Sequence, residues 1–598
     1  MHRALFATLC LFPCVAPSAR AQVQERWLDI RNVSPTGHDE IRAVAVAPSG
    51  NVYATGRTGS QDLLLMKYGP NGAVLWTRTY DAGNGLDNGF AIALDPTTEA
   101  IHVVGRGDVQ STHALALDYD TAGNLLWSAT YDVGPGTSQF SAARLKTNGN
   151  LVAIGSGQEG VIVVEYDPQG HQLWHTAIRG GDYGHDLAID SADNVYVVGA
   201  FDESQSTTHF AVAKVSPSGE LLWKRTVTGG GGGIEASLAL LTDAASAVYV
   251  AGRINDATTG ANGVVVKMDG AGNVLWTRTH RGTLANGGAY SESLRALAFA
   301  PNGNVRVAGE TSNVGTESDV FAAEYTPAGF LVWEDSWNGP DDENDQILGM
   351  TIEPDGSMKV LATSEGASEV YDPAVLRWNV DGSLRWSAVE HLAPLTRFHL
   401  LVGTSGAGGT SVFGGMSPAL VGVPSDTVIV DLRDQAVPYC FGDGSGAPCP
   451  CDNHAVHGEG QGCVNSAGAA ARLTDAGQAS LAHDTLALTS AGEVPGAMSA
   501  LFQGRARTAP ATFGDGLLCV GQNVLRLYLQ AAQGGVVQVP SVGAPAISAR
   551  SAVLGDPIAP GAARYYQMYY RDGVSIACPP PHGGAFNLSS GLAVVWEQ

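Results

Sequence analysis

The chain has 598 residues, of which 76 are glycine and 15% are charged. This length exceeds one ordinary hydrophobic core, so we expect several domains or a repeat array, and the glycine content favours short strands joined by tight turns. The 58 acidic and 33 basic residues give a formal charge of −25. Such a charge repels DNA, RNA and anionic membranes at long range, and it excludes nucleic acid as an expected partner.

Residues 1–21 have the organisation of a signal peptide. A short basic start precedes an apolar stretch at 4–15, and Ala19-Arg20-Ala21 forms an A-x-A cleavage site. The apolar stretch is too short to span a bilayer, and no later segment offers about twenty uninterrupted apolar residues. We therefore expect a secreted or cell-surface protein with no membrane span.

A tryptophan recurs at intervals of 47 to 57 residues, and a glycine stands four residues before each one. A charged residue stands nine before each tryptophan and ends an apolar run. The tryptophans are Trp76, Trp127, Trp174, Trp223, Trp276, Trp333 and Trp386; the glycines are Gly72, Gly123, Gly170, Gly219, Gly272, Gly329 and Gly382; the charged residues are Lys67, Asp118, Glu165, Lys214, Lys267, Glu324 and Arg377. The unit reads as strand, turn, strand, with another strand pair upstream. Four strands per period predict a propeller blade.

The ends of the array decide the number of blades. Trp27 begins a motif with no strands before it, and residues 398–402, 411–413 and 427–432 read as three strands with no tryptophan after them. Three strands plus one would complete a further blade. We therefore expect an all-β chain with an eight-bladed β-propeller at 22–434, and seven blades is the alternative.

The propeller repeats resemble the bacterial families typified by the SBBP repeat and, more loosely, the PQQ-like eight-bladed propellers. The G-x-x-x-W hairpin and strands such as Asn194 to Val198 carry this resemblance. Some PQQ-like propellers are dehydrogenases that hold a quinone, usually a calcium ion, and a disulfide between adjacent cysteines. The six cysteines after the signal peptide all lie outside the repeats, so the resemblance implies the scaffold and no quinone cofactor.

Carboxylates recur just before the first strand of each predicted blade. The ring consists of Asp39, Asp87, Asp182, Glu235, Glu292 and Asp345, and Ser138 occupies the seventh equivalent position. Two roles fit: the carboxylates could bind a cation such as calcium at one mouth of the axial channel, or accept backbone N–H bonds in the turns between blades. The second role is the more common one. The charged residues nine before each tryptophan mix both signs, which favours ion pairing between blades.

A second module is predicted at 435–598. It resembles a C-terminal module of many secreted proteins of environmental bacteria, on the motifs YCFGDGSG at 439–446, FGDG at 513–516, RYYQMYYRD at 564–572 and FNLSSG at 586–591. That family implies secretion and no activity. Alternating strands predict a small β-sandwich.

Six cysteines in an exported chain predict three disulfides; they are Cys440, Cys449, Cys451, Cys463, Cys519 and Cys578. We expect Cys519 to pair with Cys578 and the first four to pair among themselves. A zinc site at Cys449 and Cys451 with His454 and His457 is the weaker alternative, because thiols outside the cell oxidise.

No H-E-x-x-H or G-x-S-x-G motif occurs, and the adjacent His185 and Asp186, expected in a loop, are weak evidence for a site. We name no catalytic or cofactor-binding residue. We expect a monomeric, non-catalytic scaffold that binds a protein or glycan. The alternative is an extracellular enzyme, polysaccharide-active or quinone-dependent, with its site at the axial mouth.

Overall fold

The computed structural model describes residues 23–596 with gaps. The gaps are 35–36, 84, 109–111, 132–136, 182, 203–207, 230, 232–234, 259, 283–291, 314–315, 354–355, 367–369, 391–398, 406–409, 418–425, 435, 446, 458, 477–478, 480, 482–483, 560–561 and 574–584. The predicted signal peptide and Cys578 therefore lie outside the described residues. No described helix is long and apolar enough to cross a membrane.

Residues up to Asp434 form four-stranded antiparallel sheets, eight in the described part of the chain. We number them as blades 1 to 8 in chain order of their innermost strands. The innermost strands are β2 (Glu40–Val46), β6 (Asn88–Leu94), β10 (Gln139–Leu145), β14 (Tyr183–Ile189), β18 (Ala236–Thr242), β22 (Ser293–Phe299), β26 (Asp345–Ile352) and β30 (His399–Ser405). Each contacts the next in this order, and β30 contacts β2. The inner strands thus form a closed ring, which confirms the propeller.

The two middle strands of each blade are the most buried. The second strands are β3 (Val52–Arg57), β7 (Ile101–Asp108), β11 (Leu151–Gly157), β15 (Val195–Asp202), β19 (Val248–Asp256), β23 (Val305–Ser312), β27 (Met358–Gly366) and β31 (Thr410–Ser417). The third strands are β4 (Leu63–Tyr68), β8 (Thr112–Tyr119), β12 (Gly160–Tyr166), β16 (Thr208–Val215), β20 (Gly260–Met268), β24 (Ser318–Tyr325), β28 (Val370–Trp378) and β32 (Asp426–Asp434). Their apolar runs, such as Leu63 to Met66, are buried on both faces because the sheet of a neighbouring blade covers each side.

The outer strands carry the repeated tryptophans. They are β5 (Val74–Tyr80), β9 (Leu125–Tyr131), β13 (Gln172–Ile178), β17 (Leu221–Val227), β21 (Val274–His280), β25 (Leu331–Trp337), β29 (Leu384–Val389) and, for blade 8, the N-terminal β1 (Val23–Arg31). Strand β1 pairs antiparallel with β32, with Trp27 opposite Asp431. The first strand of the chain therefore completes the last sheet, as the sequence predicts.

Trp27 and six of the seven repeated tryptophans, Trp76 to Trp333, contact the turn of the following blade. In five blades the indole Nε1 donates a hydrogen bond of 3.1–3.2 Å to a carbonyl in the following blade's turn; the pairs are Trp76–Thr121, Trp127–Pro168, Trp174–Pro217, Trp223–Gly270 and Trp276–Pro327. The indole also covers the repeated turn glycine, where a β-carbon would lie within 2.3–3.1 Å of the nearest indole atom. These glycines have φ between +79° and +86°, a region that glycine tolerates best. The repeated glycine and tryptophan are thus in contact across blades, because each glycine lies against the tryptophan of the preceding blade.

The charged residues nine before each tryptophan behave in two ways. Lys67, Lys214 and Lys267 donate to backbone carbonyls of the following blade at 3.0–3.3 Å. Arg377 of blade 7 forms an ion pair with Asp434 of blade 8 at 3.0 Å. Glu165 and Glu324 form ion pairs with Lys146 and Arg306 of their own blades, and Asp118 lies 3.3 Å from Nδ1 of His102. The prediction of ion pairs between blades holds for Arg377 and is wrong for Glu165 and Glu324, because a basic residue of the same blade is nearer.

The residue before each tryptophan is a β-bulge on the exposed edge of its sheet. In blades 1 to 6 it is apolar and 47–58% exposed; the six are Leu75, Leu126, Leu173, Leu222, Leu275 and Val332. Arg385 and Arg26 take this position in blades 7 and 8. Bulges in edge strands discourage pairing with other chains.

The C-terminal module has two stacked sheets and a short hairpin. One sheet orders β33 (Ala436–Tyr439), β42 (Phe586–Val595), β41 (Ala563–Arg571), β36 (Met498–Gly504) and β39 (Leu525–Ala531); the other orders β34 (Arg472–Ala476), β35 (Ala487–Ala491) and β40 (Val536–Val539); the hairpin is β37 (Ala506–Phe513) with β38 (Gly516–Gly521). Leu473 and Leu488 from the second sheet share a core with Leu501 and Met568 from the first, which confirms the sandwich. The helix α1 (Ile547–Val553) was not expected.

The disulfides agree with the predicted pairing for Cys449 and Cys463 and differ from it for Cys440 and Cys519. Cys440 bonds to Cys519, which lies 79 residues away, and Cys449 bonds to Cys463. Cys451 is also disulfide-bonded. The prediction that Cys519 pairs with Cys578 is therefore wrong, because β38 places Cys519 beside the start of the module. With both thiols of the C-P-C motif oxidised, the alternative zinc site is wrong too.

A buried carboxylate organises the module's polar core. Asp556 accepts hydrogen bonds from Arg505 (2.8 Å), Arg564 (3.1 Å) and Gln503 (3.0 Å). Between the module and the propeller, the bulge residue Arg385 forms an ion pair of 2.7 Å with Asp475 of β34, and both side chains are 5% exposed. This contact places the edge strand of the module's second sheet beside the outer strand of blade 7.

Candidate functional site

Five of the six predicted ring carboxylates lie in the described residues, each at the start of an inner strand and each buried; they are Asp39, Asp87, Glu235, Glu292 and Asp345. Asp182 lies outside the described residues. This end of the ring also carries the connections between blades and the loops between second and third strands, and we call it the loop face. The opposite side, where the turns with the repeated glycines lie, is the turn face.

Asp39 shows what these carboxylates contact. Its Oδ2 accepts N–H bonds from Val33 (2.7 Å) and Ser34 (3.1 Å), in the connection that follows β1, and its Oδ1 accepts one from Gly59 (2.6 Å) between β3 and β4. Asp87 and Glu235 bind the same two loops of their own blades at 2.6–3.0 Å. Each carboxylate therefore ties two loops of the loop face together, which is the second of the two roles that the sequence allows.

Burial changes the protonation of two ring members. It raises the pKa of Glu292 to about 7, although Gly282 donates its N–H at 2.6 Å. It also raises the pKa of Asp345 to about 7. A carboxyl that is partly protonated at neutral pH is a weaker cation ligand. In the described part of the chain, no three or more His, Cys, Asp or Glu side chains are grouped to hold a metal ion, and the calcium site stays a prediction.

Every inner strand has a β-bulge at the same position, which the sequence analysis missed. The bulged residues are Arg42, Phe90, Ser141, His185, Leu238, Arg295, Leu348 and Leu401. Arg42 is exposed although both of its neighbours in β2 are buried, so its side chain projects into solvent on the propeller axis. His185 lies in β14 rather than in the predicted loop. The bulges therefore line the axial channel with residues of mixed chemistry.

Arginines surround the loop-face end of this channel. In blades 1 and 2, Glu40 lies 2.9 Å from Nε of Arg42 and 2.9 Å from Nε of Arg57, and it accepts a bond from Asn88 at 3.1 Å. Arg106 lies over the ring of Phe90 at 5.8 Å. In blades 5 and 6, Arg295 pairs with Glu310 at 2.7 Å.

In blade 5, burial lowers the pKa of Arg253, and the charge of Arg295 lowers it further. Desolvation and the charge of Arg295 also lower the pKa of His185. In the order of inner-strand contacts, blades 5 and 6 lie across the ring from blades 1 and 2.

An open cleft of about 700 Å³ lies on the loop face between blades 3 and 4. The hairpin loop of blade 3 has only Gln158 and Glu159 between β11 and β12, and this short loop leaves the space. Hydroxyl groups of Thr137 and Ser156, glycine backbone and the 55% exposed ring of Tyr183 complete the lining. The lining offers both hydrogen-bonding groups and one aromatic surface.

No family model matches the chain. An uncharacterized WD repeat-containing protein of Acanthamoeba polyphaga mimivirus is 25% identical over 215 residues, which covers 33% of this chain. The match spans 14% of that relative's length.

Solved structures similar to the chain include propeller proteins with different activities. The WD40 domain of SCAP from fission yeast is 12% identical with a TM-score of 0.39, covering 68% of this chain and 98% of that one. A lectin from Burkholderia pseudomallei is 12% identical with a TM-score of 0.37, covering 60% and 100%. The periplasmic gluconolactonase of Pseudomonas aeruginosa is 16% identical with a TM-score of 0.36, covering 56% and 94%. Likeness at this level favours no activity. The strands and contacts described above identify the chain as a β-propeller protein with a disulfide-containing β-module.

Proposed function

We propose that the protein is a non-catalytic binding scaffold whose loop face holds a glycan in the cleft between blades 3 and 4. The observation that carries this proposal is the polar, open cleft with one exposed aromatic ring. Sugars present hydroxyl groups at their edges and C–H groups on their faces, so hydroxyl, amide and aromatic groups together suit them. A cleft for an apolar ligand would be lined mainly by hydrophobic side chains.

The ring carboxylates support a scaffold in a second way. Asp39, Asp87 and Glu235 direct their oxygens to backbone N–H groups instead of to the channel. Groups held in this way position loops, and loops on a rigid framework are the usual place for recognition.

The test is a glycan array probed with the purified full chain, followed by calorimetry with the strongest sugar bound. We expect Tyr183→Ala to weaken binding roughly 10-fold, because stacking on the ring is lost. Phe330→Ala removes a 69% exposed aromatic residue from the turn face, and this control should bind like the parent protein. Binding unaffected by Tyr183→Ala would contradict the site, and turnover of the bound sugar would contradict the scaffold.

A further inference from the structure

Three arginines lie close together in blades 1 and 2. Arg42 and Arg57 both contact Glu40 at 2.9 Å, and Arg106 lies over the ring of Phe90 on the adjacent strand. The full chain carries 58 acidic and 33 basic residues. A cluster of guanidinium groups in an acidic protein is a feature of a site for an anion.

The arginines of blades 1 and 2 crowd one another. Glu40 is the carboxylate that both Arg42 and Arg57 contact. Burial lowers the pKa of Arg106, and the charges of Arg57 and Arg42 lower it further. An anion placed between these groups would reduce their mutual repulsion.

Hydrogen-bond donors in this group remain available. Nε of Arg106 is buried and has no acceptor among the residues that the structure describes. Arg42 directs Nε and one terminal nitrogen to Glu40, and its side chain is 43% exposed. Oxyanions are the acceptors that match guanidinium donors in number and geometry.

We propose that the loop-face end of the axial channel binds a small ligand that carries carboxylate or sulfate groups. The ligand is small because the charge of −25 opposes the approach of a long polyanion. Arginines 42, 57 and 106 hold its acidic group. This site is separate from the cleft at Tyr183, so either can fail without the other.

The test is titration calorimetry of the purified full chain with citrate, glucuronate and sulfate, at low ionic strength. We expect at least one of the three to bind, with affinity that falls as salt is added. Tightest binding of glucuronate would identify a sugar acid, and tightest binding of citrate would identify a polycarboxylate. No binding of any of the three at millimolar concentration would overturn the proposal.

Variants locate the site. Arg106→Gln and the more exposed Arg42→Gln should each weaken binding about 10-fold, because each removes a charge-assisted hydrogen bond. Arg31→Gln removes an arginine whose side chain is 43% exposed, on the outer strand of blade 8, and should leave the affinity unchanged. Circular dichroism checks that each variant is folded. Equal affinity in Arg42→Gln, Arg31→Gln and the parent would place the anion elsewhere and overturn the proposal.

Discussion

In the propeller one contact recurs from blade to blade, whereas the C-terminal module relies on contacts that occur once. The indole of Trp174 donates to the turn of blade 4, and equivalent tryptophans do the same in four other blades. In the module, a single carboxylate, Asp556, accepts bonds from Arg505, Arg564 and Gln503. A repeated contact spreads stability over many equivalent sites, and a single buried carboxylate concentrates it. Loss of one group should therefore cost the module more than the propeller.

The largest expected effect is that of Asp556→Ala. The change leaves the buried Arg564 guanidinium without its carboxylate, and it should lower the free energy of unfolding by about 3–5 kcal/mol. Hydrogen exchange should rise in β36 and β41 while the propeller strands stay protected. Asp341→Ala, at an exposed loop position, is the control. An equal rise of hydrogen exchange in the module and in the propeller would contradict the expected difference between the two regions.

The Cys440–Cys519 disulfide tests the module in another way. Replacing both cysteines by alanine frees a loop of 79 residues, and the module should lose roughly 2–5 kcal/mol of stability. Hydrogen exchange in the module strands β36 and β41 as a function of urea concentration measures the loss. An unchanged midpoint would show that the sheets, and not the disulfide, stabilise the module.

The pH dependence tests the propeller's buried carboxyls. Glu292 has a pKa of about 7 in the folded chain against 4.5 ordinarily, so unfolding releases a proton between these values. Its contribution to the free energy of unfolding is present below pH 4.5 and is lost as the pH rises through about 7, by on the order of 3 kcal/mol.

Glu292→Gln should make stability less dependent on pH over this window, as measured by urea midpoints. Glu334→Gln, at a carboxylate whose side chain is 50% exposed, should keep the parent's slope. A parent protein that gains stability as the pH rises through the window would contradict the assignment to Glu292.

The smallest effect should follow from Trp174→Phe. The variant loses the 3.1 Å bond to Pro217 and keeps an aromatic ring against Gly219, so we expect a loss of about 1 kcal/mol. Leu173→Ser, at the neighbouring 52% exposed position, should change stability by less than about 0.5 kcal/mol. Thermal unfolding of the full chain measures both. A loss of stability as large as that of Asp556→Ala would show that the hydrogen bonds from the tryptophans to the turns act cooperatively.

The repeat could be predicted from sequence because its signals are local. Turn glycines such as Gly72 need a positive φ, and the tryptophan four residues later occupies a fixed position on the outer strand. The closing strand β1 was predictable as well, since three strands at the end of the array lacked a fourth. The ring of carboxylates was predicted from equivalent positions in successive repeats, although these positions alone left its role open.

Two features could not be predicted because they depend on contacts between distant segments. Arg42 and Arg295 reach the channel through bulges, and the shift of register at a bulge leaves no mark in the hydrophobic pattern. The partner of Cys440 is set by the position of β38 within the module. The spacing of the cysteines along the chain does not indicate which of them lie close together in the folded module.

The pairing of β1 with β32 also has a consequence for biosynthesis. The hydroxyl of Thr427 donates to the carbonyl of Arg31, 396 residues earlier. A nascent chain must therefore carry β1 without its partner until almost all of the ring has left the ribosome. The pairing of β1 with β32 comes last and joins the first and the last synthesised strands of the propeller. The incomplete chain is therefore an expected substrate of chaperones.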